Sequence, residues 1–380
     1  MKFLFVCSSC GGGGAERVAV RLSNAISQLG NEVVYMYWKE KKNQEYDFYP
    51  GVEVVKIQDM NILLRILRAR EIIDKSKPDV IFSFADVPNI VVFYAEKIAK
   101  HKFLRIPNIR TNVLEKSRNV EKNIVVKSIS KLHGVACRSA AMTISNSLES
   151  RDAAISHFGV KPDKVVCIYN PVFDDLHLPC FIEKAHETKR KNVLSAITIG
   201  RLTKAKNHHM LLESVYYAIN SLKVDMSLDI YGDGELFDEI LLKIKRLGLE
   251  GRVFLKGFDK NIEKKISDYD VFLFSSRWEG LPNALIEALG SGVYIIATDC
   301  PSGPREILKD GRFGKLVKID DYKAMAESIA EVYHQGIFLI HSSDDDVSVN
   351  IELKKHLKQF TIPFVVNKYI ESVSKLSWPS

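Results

Sequence analysis

The stretch VFLFSSRWEGLPNALIEALGSG, residues 271–292, joins a strand-like run to an apolar helix through a Gly-Leu-Pro-Asn turn. Val271 to Phe274 are typical of a buried strand, and residues 283–292 have apolar residues at helical spacing. A strand that passes at once into a helix is the repeating part of βαβ units, which build parallel sheets. The stretch therefore predicts an α/β fold.

The same alternation extends in both directions and forms two series. The first begins with KFLFVC at residue 2 and ends with KVVCIYNP at residue 171. An irregular polar stretch follows, and the second series begins with VLSAITIG at residue 193. We predict two Rossmann-like domains, residues 1–171 and 192–362, joined by a linker at residues 172–191. A ligand is expected in the cleft between them.

The composition is that of a globular protein. Of the 380 residues, 46% are hydrophobic and 27% charged, and no uncharged apolar run reaches the roughly 18 residues that span a bilayer. The first residues, MKFLFVCSSCGGGG, predict a strand that enters a glycine loop, whereas a signal peptide needs a longer apolar core. We expect a cytoplasmic protein, or one peripheral on the cytosolic side of a membrane, with its six cysteines reduced.

Positive charge is concentrated in one segment. The net charge is +7, and residues 96–138 hold eleven Lys or Arg against three Glu. A basic surface attracts anionic lipids, nucleic acid or phosphorylated substrates, and the alternative is a surface that is merely solvated. The segment lacks the interleaved aromatic residues of a nucleic-acid binder, so we expect no nucleic-acid partner.

The loop SSCGGGGAERV, residues 8–18, puts four glycines between a strand and a helix. Because glycines carry no side chain, backbone N–H groups can approach a ligand at the helix N-terminus, where the helix dipole favours anions. The spacing of the glycines matches neither the dinucleotide fingerprint nor a P-loop. The loop therefore predicts either an anion site or a flexible turn.

Two further motifs carry charge at the ends of strands. TIGRLTKAKN, residues 198–207, ends a strand and adds Arg201 and Lys206, which together could neutralise a diphosphate, although surface cations are common. Glu279 lies in the loop of the opening stretch, and Glu287 lies in its helix. Carboxylates accept hydrogen bonds from hydroxyls, which suits a sugar or ribose ligand. A helix-capping pair is the alternative, but Glu279 lies too far before the helix.

Together these motifs resemble the retaining glycosyltransferases of family 4, which have the GT-B fold. The family signature is Gly-Arg, four residues and Lys-Asn, followed later by Glu, seven residues and Glu. Here Gly200-Arg201 and Lys206-Asn207 are followed by Glu279 and Glu287. GGGGAERV, TISNS, IYNPV, GLPNALIEALGSG and IATDCPSGPREIL are also similar to the family's usual wording. DCPSGPREIL with GGAER most resembles the bacterial branch that extends lipid-linked or surface glycans.

The resemblance implies a role for each motif residue. Arg201 and Lys206 would contact the donor diphosphate and stabilise the charge that grows on it as the glycosidic bond breaks. Glu279, the third catalytic residue, would hold sugar hydroxyls, and Glu287 would bind the ribose. The other donor-binding residues implied are Gly13, Gly14, Gly200, Phe258 near the base, Gly280, Leu281, Pro282 and Asn283.

The resemblance implies neither a metal nor a cofactor. The DYD run at residues 268–270 matches the Asp-x-Asp of metal-dependent transferases by letter, but it precedes a strand and so lies at the wrong end of the sheet. Many family members carry a His near the acceptor, just after the strand that reads VIFSF here, whereas this chain has ADVPN. We expect Asp86, Arg110 and Asn112 near the acceptor, and the departing phosphate oxygen can itself take the proton.

A helix predicted within residues 61–78 has a basic amphipathic pattern. It carries Ile62, Leu63, Ile66 and Leu67 alongside Arg65, Arg68 and Arg70. Such a surface suits docking on an anionic leaflet or binding a lipid diphosphate, and the alternative is a helix packed on its own sheet with its arginines in water. We expect peripheral contact with an anionic membrane, on the cytosolic face of the inner membrane.

The sequence thus predicts a retaining, metal-independent enzyme of the hexosyltransferase class. It would move a hexose or an N-acetylhexosamine from a UDP-sugar to a glycan or a lipid-diphosphate-linked saccharide, in bacterial polysaccharide or glycan biosynthesis. In such chains the last helix, here within residues 363–380, tends to pack back on the first domain. The alternatives are a GT-B sugar phosphorylase and a non-catalytic sugar-nucleotide-binding protein, although the four charged motif residues together argue against the second.

Overall fold

Residues 1–175 and 359–380 form one unit of the protein, unit 1, and residues 176–358 form a second, unit 2. The computed structural model describes residues 1–41, 44–58, 61–120, 124–174, 193–336 and 347–378. The limits of the units differ from the predicted domain limits by a few residues. From residue 175 onward, the predicted linker at 172–191 lies outside the described residues.

Unit 1 contains a seven-stranded sheet with helices on both faces. Its strands are β1 (Lys2–Val6), β2 (Glu32–Tyr37), β3 (Val52–Lys56), β4 (Val80–Phe84), β5 (Leu104–Ile109), β6 (Thr143–Ser145) and β7 (Val165–Cys167). Its helices are α1 (Gly14–Gln28), α2 (Ile62–Ser76), α3 (Asp86–Ile98), α4 (Val113–Val120), α5 (Ile124–Arg138), α6 (Leu148–Phe158) and, at the end of the chain, α13 (Ile362–Ser374). The strand order is β3-β2-β1-β4-β5-β6-β7, and the pairings are parallel.

The first strand shows why these residues form a central strand. Phe3 and Phe5 point to one face of the sheet and pack in a core that includes residues of α1 and α13. Leu4 and Val6 point to the other face and pack with residues of α2 and α3. A strand covered on both faces is apolar at every position, and β1 has this pattern.

Unit 2 contains a six-stranded parallel sheet. Its strands are β8 (Leu194–Ile199), β9 (Met226–Tyr231), β10 (Val253–Gly257), β11 (Val271–Phe274), β12 (Tyr294–Thr298) and β13 (Lys315–Val317). Its helices are α7 (His208–Asn220), α8 (Phe237–Arg246), α9 (Asn283–Ser291), α10 (Pro304–Ile307), α11 (Tyr322–Gln335) and α12 (Val347–Lys358). The strand order is β10-β9-β8-β11-β12-β13.

The predicted fold class, α/β with two Rossmann-like domains, is confirmed. The structure adds elements that the sequence reading had not assigned, namely β3, α4, α5, α10 and α12. Strand β3 lies at the edge of its sheet and exposes 41% of Val54, so it lacks the continuous apolar run of a central strand. Helices α4 and α5 lie within the basic segment, where frequent lysines interrupt the apolar pattern.

Both sheets have a topological switch point. In unit 1, β1 lies between β2 and β4, and in unit 2, β8 lies between β9 and β11. Loops that leave the two central strands in opposite directions open a crevice at their carboxyl ends, where ligands bind in sheets of this kind. We therefore expect a ligand site at the loops that follow β1 and β4 in unit 1 or β8 and β11 in unit 2.

The last helix is part of unit 1. Val365, Val366, Tyr369 and Val373 of α13 are buried in the core that also contains residues of α1 and β1. No helix within the described residues combines the length and the apolarity that a membrane span requires.

Candidate active site

The switch point of unit 2 brings two of the predicted catalytic residues into contact. The Nζ of Lys206 donates a hydrogen bond to Oε1 of Glu279 at 2.5 Å. The Oγ of Ser276 donates to the same carboxylate oxygen at 2.8 Å. The side chains of Lys206 and Glu279 are 20% and 15% exposed, so the pair is largely shielded but open to solvent on one side. Residues 73 positions apart in sequence thus meet beyond the carboxyl ends of β8 and β11.

Close approach of the chain explains two glycines near this pair. A Cβ on Gly200 would lie 3.1 Å from Cε of Lys206, whose stem crosses the end of β8. A Cβ on Gly232 would lie 2.0 Å from the carbonyl oxygen of Gly200, and Gly232 has a φ of 135° that favours glycine. Gly232 is therefore required where the loops after β8 and β9 meet, whereas a Cβ on Gly200 would press on the side chain of Lys206.

Arg201, the third predicted catalytic residue, follows Gly200 directly. It is exposed, and it forms no ion pair within the part of the chain that the structure describes. Its guanidinium is therefore available to an anionic ligand, and it lies on the same loop as the ammonium of Lys206. Two cations on one loop suit the two phosphates of a nucleoside diphosphate.

The start of α9 provides backbone groups beyond the end of β11. Gly280, Leu281 and Pro282 are buried. Helix α9 begins at Asn283, and its N-cap residue, Pro282, makes no side-chain capping hydrogen bond. The backbone N–H groups and the positive dipole end of a helix start favour an anion. Glu287 lies one turn further along α9 and is 6% exposed. The structure thus places the predicted donor-binding run at a helix N-terminus.

Phe258 and the DYD run at residues 268–270 lie beside the ends of two strands of unit 2. Phe258 is half-buried and follows β10 after Gly257, whose φ is 73°. Asp270 lies at the amino end of β11, and its Oδ2 accepts hydrogen bonds from the amide and the Oγ of Ser195, at 2.8 and 2.6 Å. Asp270 therefore ties the start of β11 to the neighbouring strand β8.

In the glycine loop of unit 1, Gly11 and Gly12 are required by the fold, whereas Gly13 lies at the start of helix α1. A Cβ on Gly11 would lie 2.2 Å from the carbonyl oxygen of Gln44, and Gly12 has a φ of 73°. Gly13 is the N-cap of α1 and has no side-chain cap, and a Cβ there would meet only the carboxylate of Glu16, at 2.2 Å. The Glu16 carboxylate therefore lies against the N-terminus of α1, where an anion is favoured.

Asp86 follows β4 and forms a charged cluster. It is the first residue of α3, its Oδ2 accepts from Lys116, and its Oδ1 lies 3.2 Å from Nδ1 of His133. Burial raises the pKa of the Asp86 carboxyl, but its charged and hydrogen-bonding partners lower that pKa below the ordinary value. Asp86 is therefore ionised at neutral pH.

His133 was missed by the sequence reading because α5 was not predicted. The Oδ1 of Asn89 accepts from Ser83 at 2.6 Å, so the Nδ2 of Asn89 is the donor to Nε2 of His133 at 2.8 Å. The proton of the imidazole is then on Nδ1, which donates to Asp86. Burial lowers the pKa of His133, which keeps the ring neutral. The histidine that is absent after β4 is thus supplied to the same strand end by α5.

Arg110 and Asn112 both follow β5. The Nη2 of Arg110 donates to Oδ1 of Asn170 at 2.5 Å, and its guanidinium lies 5.8 Å from the ring centroid of Phe84. The Oδ1 of Asn112 accepts from the amides of the second and third residues after it, at 3.1 and 3.2 Å, and so caps the start of α4. The roles of both residues at an acceptor stay predictions.

Part of the basic segment is internal. Arg105 is 2% exposed and donates to Glu96, to the carbonyl of Ala136 and to Ser139. Lys116 is paired with Asp86. Some cations of residues 96–138 are thus bound to groups of unit 1 itself, and the attraction of this segment to anionic partners stays a prediction.

Two family models match the chain. One is described as Glycosyltransferase Family 4 and matches residues 12–176, and the other is described as Glycosyl transferases group 1 and matches residues 181–345. The N-acetylgalactosamine-N,N'-diacetylbacillosaminyl-diphospho-undecaprenol 4-alpha-N-acetylgalactosaminyltransferase of Campylobacter jejuni is 31% identical over 332 residues. These residues make up 84% of this chain and 87% of that relative.

Two further proteins are similar over most of their length. The UDP-Gal:alpha-D-GlcNAc-diphosphoundecaprenol alpha-1,3-galactosyltransferase of Escherichia coli is 24% identical over 323 residues, which cover 82% of this chain and 81% of that relative. The crystal structure of Anabaena HepE in complex with UDP-glucose matches with a TM-score of 0.78 at 19% identity. It covers 99% of this chain and 100% of that chain.

These matches agree with the motifs at the switch points. The family models account for residues in both units, and the Campylobacter relative covers more than four-fifths of the chain. The chain therefore belongs to glycosyltransferase family 4, with the GT-B fold that its motifs predict.

Proposed function

We propose that the protein moves a hexose or an N-acetylhexosamine from a UDP-sugar to a lipid-diphosphate-linked saccharide, with retention and without a metal. The contact of Lys206 with Glu279 at the switch point of unit 2 carries the proposal. It joins a cation suited to the donor diphosphate to a carboxylate suited to sugar hydroxyls.

The charges of unit 2 suit the departing diphosphate. A phosphate oxygen that binds Lys206 competes with the carboxylate of Glu279, which is then free to accept hydrogen bonds from the sugar. Arg201 and the N-terminus of α9 add positive potential at the same strand ends. Charge placed in advance where negative charge develops lowers the barrier to bond cleavage.

Retention follows if the acceptor attacks from the face that the diphosphate leaves. The bond between the anomeric carbon and the diphosphate oxygen breaks, and a bond from that carbon to the acceptor oxygen forms. The proton of the acceptor hydroxyl passes to the departing phosphate oxygen. Lys206 and Arg201 stabilise the charge on UDP throughout, so the step requires no divalent ion.

The names of similar proteins support the choice of substrates. The Campylobacter relative acts on a diphospho-undecaprenol saccharide, and the Escherichia coli relative uses UDP-galactose with a diphosphoundecaprenol acceptor. HepE was crystallised with UDP-glucose. We assign the acceptor side to unit 1, with Asp86, Arg110 and Asn112 as its polar groups.

Helix α2 supports peripheral contact with an anionic membrane. Its inner face packs through Ala69 and Ile73, which are fully buried. Its outer face exposes four aliphatic side chains, Ile62, Leu63, Leu64 and Leu67. Arg68 and Lys75 are exposed on the same helix, and Arg68 pairs with Glu71 at 2.7 Å. Exposed aliphatic groups on a helix that also carries cations suit the interface of a bilayer, and we assign the contact to the cytosolic face of the inner membrane.

Turnover of purified protein tests the proposed reaction. UDP-hexoses and UDP-N-acetylhexosamines are combined with undecaprenyl-diphosphate-linked saccharides, the product mass is measured, and NMR gives the anomeric configuration. We expect Arg201→Ala and Lys206→Ala each to lower kcat about 100-fold, since each removes charge that stabilises the leaving group. Lys204→Ala is the matched control, because Lys204 is an exposed cation in the same turn.

Several results would count against the proposal in different ways. Loss of turnover with a chelator contradicts a metal-independent reaction, and an inverted product contradicts retention. Turnover that requires added inorganic phosphate indicates a sugar phosphorylase. UDP-sugar binding with neither hydrolysis nor transfer indicates a non-catalytic binding protein.

A further inference from the structure

An aspartate far from the family motifs holds the loop of Lys206. Asp320 lies in the turn between β13 and α11 and has a φ of 62°. Its Oδ1 accepts hydrogen bonds from Nδ2 of Asn207 and from Nη2 of Arg277, both at 2.8 Å. One carboxylate oxygen therefore joins three segments of unit 2 that are remote in sequence.

The backbone at two of these residues is unusual. Asn207 has a φ of 51°, so both Asn207 and Asp320 adopt the left-handed conformation, which among non-glycine residues Asn and Asp adopt most readily. Asn207 is 2% exposed and directly follows Lys206. Such conformations persist where the surrounding contacts hold them, and the hydrogen bond between the two side chains provides such a contact.

The third segment is tied to the same turn through its main chain. The amide of Arg277 donates to the carbonyl of Ala205 at 2.8 Å. The Oγ of Ser275 donates to the carbonyl of Lys206 at 2.8 Å. The turn that carries Lys206 is thus bonded to the loop after β11, and Asp320 links that loop to Asn207.

We propose that Asp320 is a positioning residue, which fixes the main chain of Lys206 so that its ammonium meets the donor diphosphate. The inference rests on the proposed role of Lys206. Asp320 itself does not touch Lys206 or Glu279 in the contacts described above, and it acts through Asn207 and Arg277.

Exposure separates this role from a purely stabilising one. The side chains of Arg277 and Asp320 are 41% and 55% exposed, and ion pairs at such positions contribute little to folding. A displacement of a binding group by about 1 Å can lower a rate by as much as about 100-fold. Loss of the Asp320 carboxylate should therefore affect ligand binding and turnover much more than folding.

The test compares two substitutions of Asp320 with a matched ion pair. Asp320→Gly removes the carboxylate and relaxes the left-handed backbone, so the variant should fold. Asp320→Asn keeps an acceptor oxygen for Asn207 and Arg277. Asp225→Ala is the control, because it breaks the Arg252–Asp225 pair, which is similarly exposed in the same unit. Calorimetry gives the Kd for UDP, turnover gives kcat/KM, and thermal unfolding gives Tm.

We expect Asp320→Gly to weaken UDP binding and to lower kcat/KM by about 10-fold each, a smaller effect than that of losing the Lys206 charge itself. Asp320→Asn and Asp225→Ala should each keep a Kd for UDP and a kcat/KM within about two-fold of the wild-type values. In a Lys206→Ala background, Asp320→Gly should have no further effect on UDP binding, because the two residues act through one contact.

The outcomes distinguish the inference from the function on which it rests. If Asp320→Gly binds UDP like the wild type while Lys206→Ala does not, the positioning role is wrong and the proposed function stands. If Asp320→Gly weakens binding equally with and without Lys206, the positioning role is also wrong. If Lys206→Ala binds UDP and turns over like the wild type, the proposed function itself fails.

Discussion

The role that a charged residue can take in this protein depends on its surroundings. Lys206 and Glu279 form a shielded pair, whereas Arg201 on the same loop is exposed and outside any ion pair of the described residues. A lysine can exchange a carboxylate partner for a phosphate, because its ammonium is a compact charge that binds the anionic oxygens of either group. In the proposed reaction, the pair would keep the cation in place until the donor diphosphate competes for it.

A buried histidine beside this pair predicts how stability depends on pH. His208, 2% exposed, follows the loop of Lys206, and burial with the charges of Lys206 and His209 lowers its pKa to about 3. In the unfolded chain the pKa of a histidine is about 6.5. Below that pH the unfolded chain binds a proton that the folded protein refuses, so stability is lost as the pH falls from about 6.5 towards about 3.

We predict that this histidine lowers the free energy of unfolding by about 2 kcal/mol between pH 7.5 and pH 5. Because Gln cannot take up a proton, the His208→Gln variant should lose about 2 kcal/mol less free energy of unfolding than the wild type over the same pH interval. Urea unfolding at the two pH values measures the difference. His334→Gln is the control, because His334 is an exposed histidine on α11 of the same unit. Equal pH dependence in wild type and His208→Gln would contradict the prediction.

At the level of elements, each unit places helix N-termini at the carboxyl ends of its central strands. The starts of α1, α3 and α9 follow β1, β4 and β11, so three helix N-termini lie at the carboxyl ends of central strands. Helix α9 begins without a side-chain cap, and the carboxylate of Glu16 lies at the start of α1. The elements thus supply positive potential that the side chains refine.

Helix α2 leads to a prediction about membranes. Replacing the exposed Leu63 and Leu67 by Gln should reduce binding to anionic vesicles about 10-fold or more, since burial of each leucine is worth roughly 1.5–3 kcal/mol. Flotation with vesicles of anionic and of neutral lipid, at low and high salt, measures it. Turnover with a short, soluble acceptor should stay unchanged.

Leu242→Gln is the control for α2, because Leu242 is 54% exposed on α8 in unit 2. Equal flotation of the α2 variant and the wild type would show that this helix is not the contact. Binding that does not weaken at high salt would show that anionic lipid is not recognised.

At the level of the whole molecule, the chain builds two sheets of one topology and returns to the first at its end. Helix α13 gives unit 1 four buried residues, although the whole of unit 2 separates it in sequence from β7. Tyr369 of this helix is fully buried, donates to Oδ1 of Asn108 at 2.7 Å and packs edge-on against Phe82.

Removal of this side chain should destabilise unit 1. We predict that Tyr369→Ala lowers the free energy of unfolding by about 3–5 kcal/mol, because it leaves a cavity between α13 and the sheet. Tyr369→Phe should cost about 1–2 kcal/mol, since it removes only the hydrogen bond. Calorimetric unfolding measures both, and Phe364→Ala, at a 37% exposed site on α13, is the control. A Tyr369→Ala variant as stable as the wild type would mean that α13 does not complete this core.

Much of the fold was predictable because central parallel strands are apolar on both faces. β1, β4, β8 and β11 stand out in the sequence, and the motif residues lie directly after them. Strand β3 and helices α4 and α5 did not, since an edge strand and lysine-rich helices lack a continuous apolar pattern. Because α5 was not predicted, the contact of its His133 with Asp86 could not be predicted either.

By itself the sequence determined the two α/β series, the loops at the ends of central strands and the charges on those loops, because local periodicity and spacing specify them. Only the tertiary structure decided which charges meet. Lys206 pairs with Glu279 across 73 positions, and Asp320 reaches Asn207 across 113. Such contacts depend on how strands order themselves in a sheet and on the left-handed turns of polar loops, which leave no periodic pattern in the sequence.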